Sequence, residues 1–147
     1  MRKLFAGLAI LLVLVVVAQF FLAASGAFDT APNDEAFRPH RALGYAIFLL
    51  PVVMTIVAAV ARMPGRLIGM TALVAGLTVV QVVIAVLARA FDDTGDTSTT
   101  AGQLVFGLHA INGLIILAVA GTVARRARAL SRSAVADRPA GAAQPAS

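Results

Sequence analysis

Leu104-Val-Phe-Gly-Leu-His-Ala-Ile-Asn-Gly-Leu-Ile-Ile-Leu-Ala-Val-Ala-Gly-Thr-Val-Ala124 runs for 21 residues without a charged side chain and is closed by Arg125 and Arg126. A helix needs about 20 apolar residues to cross roughly 30 Å of hydrocarbon, so this stretch reads as a membrane span. Three further runs match it in length and character, at about 4–24, 42–61 and 67–87. Hydrophobic residues make up 60% of the 147 and charged ones 13%, against about 45–50% apolar in a soluble domain. The expected fold class is therefore an all-α membrane protein. It is a four-transmembrane-helix bundle over residues 1–132, with a disordered tail rich in Ala, Gly and Pro over 133–147.

The charges give an orientation. Arg2, Lys3, Arg62, Arg66, Arg125, Arg126, Arg128 and Arg132 flank the starts of the odd runs and the ends of the even ones. Asp29, Asp34, Glu35, Asp92, Asp93 and Asp96 occupy the other two loops. Basic residues stay on the cytoplasmic side, so both termini are expected in the cytoplasm of a plasma-membrane protein. The net charge of +5 expresses this bias and calls for no nucleic-acid partner. The basic run after the last span faces anionic lipid head groups. The first run, preceded by Met1-Arg-Lys3 and followed by Ser25-Gly-Ala27, has outer features of a secretory signal. At about 21 apolar residues it exceeds the 7–15 of a signal core, and retention as a helix is expected.

The chain's two histidines open the same pattern, His40-Arg-Ala-Leu-Gly44 and His109-Ala-Ile-Asn-Gly113. A glycine four residues on lies one helical turn away on the same face. It leaves room beside the imidazole for a flat group such as a porphyrin. The pattern belongs to a weak internal repeat: Gln19 and Ala27-Phe-Asp29 precede the first histidine, Gln81 and Ala90-Phe-Asp92 the second. Two parallel helical hairpins related by an axis along the membrane normal make His40 and His109 equivalent. Depth counted from the inner arginines disagrees. His40 lies 22 residues before Arg62 and His109 only 16 before Arg125; six residues of helix are about 9 Å.

The remaining polar residues each carry two readings. Gln19, Gln81 and Asn112 fall in the outer halves of their runs with His109, either as interhelical glue or as groups orienting an imidazole. Arg41 is suited to an anionic group such as a heme propionate, or to an ion pair with Asp34 or Glu35. Gly69, Ala72, Gly76, Gly107 and Gly113 are expected at helix contacts. Without cysteine there is no disulfide or thiolate metal site. No HExxH, phosphate loop, dinucleotide fingerprint or nucleophile triad is present, which leaves enzymatic hydrolase and kinase chemistry without a motif.

Phe37-Arg-Pro-His-Arg-Ala-Leu-Gly44, followed by Val105-Phe-Gly-Leu-His-Ala110, resembles one four-helix half of the heme A synthase family. The resemblance covers roughly residues 1–126 and implies axial heme ligation by His40 and His109. That family is about twice as long, often carries a cysteine pair in its first outer loop, and has a glutamate where this chain has Phe37. The oxidising chemistry is accordingly not implied. The chain also looks like small four-span actinobacterial membrane proteins of unassigned function.

Two functional expectations follow. One is a bacterial membrane protein binding heme b near the outer face for electron transfer or heme sensing, with iron on His40 and His109 and with Arg41, Gly44, Gln81, Asn112 and Gly113 lining the site. The other is a cofactor-free accessory protein whose polar cluster sets helix register. The lipid bilayer is its environment in both, and a second copy or a membrane-complex partner suits either.

Overall fold

A computed structural model describes residues 1–91 and 99–136, with side chains to 133. All its regular structure is helical: α1 (Arg2–Ala27), α2 (Asn33–Ala36), α3 (Arg38–Val60), α4 (Gly65–Arg89) and α5 (Thr100–Ala136). The four long helices are each long and apolar enough to cross a membrane. The chain is a multi-pass membrane protein, as the four runs predict. α2 is a single turn between α1 and α3 that the apolar runs do not reveal.

The long helices stand at the corners of a square. α1 packs on α3, α3 on α4, α4 on α5 and α5 on α1, while the backbones of the diagonal pairs stay apart. Every neighbour is antiparallel, so both termini share one end. That end holds Lys3, Arg128 and Arg132 around one groove and is called the basic end. Asp29, Asp34 and Glu35 lie in the connection at the other, the acidic end.

The inward face of each helix repeats with alternating spacings of four and three. It runs through Phe5, Ala9, Leu12 and Val16 on α1 and through Ile47, Pro51, Met54 and Ala58 on α3. On α4 it takes Leu67, Thr71, Val74 and Thr78, and on α5 Ile116, Ala120, Val123 and Ala127. This is the seam spacing of left-handed bundles, in which side chains of one helix seat between those of the next. Ala9, Met54, Ala58, Val74, Ala120 and Val123 are wholly buried, whereas Leu4, Phe21, Leu49, Leu73, Val82, Leu108 and Ile111 point outward. In lipid there is no penalty for an outward Leu, and close backbone approach decides which face turns in.

The expected contact glycines are corrected by this arrangement. Gly69, Gly76 and Gly107 have open space where a side chain would be, and Ala72 is exposed. Close packing falls to Ala9, Ala58, Ala120 and Ala127 instead. Of the expected set only Gly113 meets neighbouring side chains closely.

Local chemistry sets the turns. α3 ends with Met63 N–H donating to the Ala58 carbonyl (2.9 Å) and Arg62 N–H to that of Ala59 (3.0 Å). These are the two bonds of a Schellman cap. Its left-handed position is taken by Arg62, at φ 49°, and the buried Met63 supplies the apolar contact that usually accompanies the motif. Pro64 then leads into α4. Pro51 lies inside α3, where it removes one backbone donor. Thr71 and Thr78, the buried hydroxyls of α4, donate to carbonyls of their own helix.

α5 extends well past 124, through 37 residues to Ala136. Residues 133–136 of the expected tail are helical, and the rest of that segment, like Asp92, Asp93 and Asp96, lies outside the described residues.

Candidate functional site

Toward the acidic end the inward seams turn polar. Gln19 continues the four-three spacing of α1, Gln81 that of α4, His40 and Gly44 that of α3, and His109 and Gly113 that of α5, with the buried Asn112 beside Gly113. Every polar residue assigned to the outer half except Arg41 thus falls on or beside the seam of its own helix.

Two side-chain clasps tie the corners together. Between α1 and α3, Gln19 Nε2 donates to the His40 carbonyl (2.8 Å) while His40 Nδ1 meets the Gln19 carbonyl at 3.2 Å. A carbonyl only accepts, so the neutral imidazole carries its proton on Nδ1 and keeps its lone pair on Nε2. Between α4 and α5, Asn112 Nδ2 donates to the Leu77 carbonyl (2.9 Å) and to Gln81 Oε1 (2.8 Å). Asn112 is the most buried residue of this layer. Such bonds are worth about 0.6–2 kcal/mol each in a membrane.

The histidines meet across the diagonal. Their ring centroids are 6.2 Å apart with the planes inclined at 47°, although α3 and α5 are not packed on one another. The 9 Å offset expected from the inner arginines is absent, because those arginines are not equivalent markers. Arg62 sits in the turn beyond α3. Arg125 lies within α5, eleven residues before its end, and bonds Thr122 of the preceding turn at 2.9 Å.

Each imidazole has an aromatic neighbour three residues earlier in the chain. Phe37 stands edge-on to His40, with centroids 6.2 Å apart, and Phe106 stacks on His109 at 5.2 Å. The repeat is therefore Phe-x-x-His-x-x-x-Gly, longer than His-x-x-x-Gly. Phe37 and Phe106 were legible in it once the two segments were aligned on the histidines. Gln19 enters the site by its bonds to His40, and Phe20, which nothing in the sequence marked, enters through Gly113.

The glycines do not leave bare surfaces. A Cβ on Gly44 would sit 3.6 Å from Gln19 Nε2, and one on Gly113 would sit 3.6 Å from Gln81 Nε2 and 3.3 Å from Phe20 Cζ. The expected porphyrin face at each glycine is corrected to a seat for the glutamine of the neighbouring helix. The two hairpins use equivalent residues for this, Gln19 over Gly44 and Gln81 over Gly113.

Among the described residues two buried side-chain polar atoms lack a hydrogen-bond partner, Gln19 Oε1 and His109 Nδ1. An unsatisfied polar atom in an apolar interior costs about 1–3 kcal/mol, so this layer has capacity to bind. Arg41 points away: its guanidinium bonds the Asp34 backbone carbonyl and pairs with the Asp34 carboxylate at 3.6 Å. The ion pair, and not a free anion-binding guanidinium, is the arrangement adopted.

Among the described residues no three His, Cys, Asp or Glu side chains gather as a metal-ligand set. What this layer offers a metal is the pair of imidazoles facing one another.

A family of unknown function, DUF6220, matches residues 19–89. The match starts at Gln19 and ends with α4, covering slightly less than half of the chain and including His40 but not His109. No curated protein matches, and no solved structure does either.

Proposed function

We propose that the bundle binds one b-type heme between α3 and α5, with His40 and His109 as axial ligands, and acts in electron transfer or heme sensing. The observation that carries this reading is the 6.2 Å separation of two imidazoles borne by helices whose backbones do not pack on one another. Metal–imidazole bonds of about 2 Å, with the distance from ring nitrogen to ring centre added on each side, bring two coaxial ligand rings to about the same spacing. The His40 Nδ1 contact with a backbone carbonyl supports the reading too. Metal-bound histidines commonly donate their second nitrogen in this way, which holds the ring and its tautomer. Two protein ligands also suffice for a metal whose other four positions a macrocycle fills. The bound group would supply one-electron chemistry.

Gln19 and Gln81 hold the seats beside the ligands, and Asn112 fixes Gln81. Phe20 and the Gln81 amide occupy the space next to Gly113 and the Gln19 amide that next to Gly44, so binding requires them to move aside. The polar layer also favours a second reading, a cofactor-free accessory protein whose amide clasps set helix register, because Gln81 and Asn112 already satisfy one another.

The absorption spectrum of protein purified from a heme-replete host separates the two. Sharp reduced bands of a six-coordinate heme are expected. A wild-type protein that stays folded and colourless after added hemin would leave the accessory reading.

The proposed setting is the bacterial plasma membrane with the basic end in the cytoplasm, following the distribution of Arg and Lys. A reporter fused after Ser147 is expected to show cytoplasmic location and one inserted at Asn33 the opposite side. A C-terminal reporter exposed outside would reverse the orientation.

A further inference from the structure

A groove between α1 and α5 opens at the basic end. Its mouth, about 630 Å³, is lined by Lys3, Arg128 and Arg132 together with Ala6 and Gly7. Ile10 and Arg128 also line its continuation toward the middle of the bundle, where the walls become Val13, Leu14, Gly121 and Ala124, with Arg125 beside them. The result is one channel on the outside of the bundle, cationic at the end and apolar along its length. Gly7 and Gly121, one on each helix, have open space where a side chain would project. They contribute the missing volume.

Among the described residues no acidic side chain pairs with these cations. The acidic side chains among the described residues lie at the opposite end, and the ion pair formed there joins Arg41 to Asp34. Arg125 bonds only an uncharged hydroxyl. A groove of this kind matches a molecule with an anionic head at the membrane surface and a hydrocarbon chain running inward. A second copy of the chain fits it poorly. A two-fold axis along the bundle would bring two identical basic mouths to the same depth, where they repel.

We propose that the α1–α5 groove is a binding site for one anionic phospholipid. Its phosphate is held by Arg128, Arg132 and Lys3, and an acyl chain lies over Ile10, Leu14 and Gly121. Arginine suits the head because its guanidinium donates two parallel hydrogen bonds to phosphate oxygens. This site is separate from the histidine layer and does not depend on heme or on which side of the membrane the basic end faces.

Native mass spectrometry tests it. The full-length protein is reconstituted in vesicles of equal phosphatidylglycerol and phosphatidylcholine, then re-extracted in mild detergent. Retention of one phosphatidylglycerol per chain in preference to phosphatidylcholine is expected. The double variant Arg128→Ala, Arg132→Ala removes two exposed cations and is expected to hold it about 30-fold more weakly. Gly121→Leu, whose Cβ meets nothing within 4 Å, projects into the channel and is expected to abolish retention while leaving the monomer folded. Equal retention of both lipids, or undiminished phosphatidylglycerol in either variant, would overturn the proposal. So would a wild-type dimer that Gly121→Leu converts to monomer, which would make the groove a self-association surface.

Discussion

His109→Ala is expected to abolish the reduced heme bands, and His40→Ala to leave weaker, five-coordinate binding. The asymmetry follows from position. His109 lies well inside α5, on the buried seam and within one turn of Asn112, the most buried residue of the polar layer. An imidazole removed there has no water at hand to take its place. His40 is the third residue of α3, near the acidic end, where solvent reaches more readily. Both variants are expected to remain folded. Alanine is the best helix former, and removing His109 also removes a buried nitrogen that has no partner. Circular dichroism and gel filtration report the fold, and absorbance reports the ligands. If His109→Ala keeps a six-coordinate spectrum, His109 is not an axial ligand.

Gly26→Ala is expected to be the most damaging of the glycine-to-alanine changes, by about 1–3 kcal/mol. A Cβ there would lie 2.9 Å from the Ala36 backbone carbonyl and 3.1–3.2 Å from the Phe37 ring. The carbonyl belongs to the α2–α3 junction and cannot swing aside as a side chain would. Phe37 leans on His40, so the strain is transmitted to the histidine layer, and weaker heme retention is expected along with lower stability. Gly69→Ala and Gly76→Ala provide the contrast. Each adds a methyl to open space and is expected to be neutral or to stabilise by about 0.5–1 kcal/mol. Denaturation in mixed detergent measures all three; a Gly26→Ala protein as stable as Gly76→Ala would show that the α1–α2 approach is not tight.

These expectations also mark where chain and fold part company. Run length was enough to count four spanning helices, since hydrocarbon thickness sets the number of apolar residues directly. The repeat around His40 and His109 was legible because identical residues recur at identical spacing. Which face of each helix turns inward was not legible. α1 is apolar all round, so no amphipathic stripe separates Leu12, which is buried, from Leu14, which is not. Small residues were a misleading guide for the same reason: Gly69, Gly76 and Gly107 face out while Ala58 and Ala120 pack the centre.

By itself, the sequence determined the all-helical membrane class, the number of spans and the separation of charge between the two ends, because each depends on composition along a single helix. Only the tertiary structure decided that His40 and His109 stand 6.2 Å apart, that Gln19 and Gln81 seat on Gly44 and Gly113, and that Arg41 turns to Asp34. Depth in the bundle depends on where a neighbouring helix ends and on which seam it presents. α5 runs to Ala136, so arginines that look equivalent along the chain lie at different heights in space.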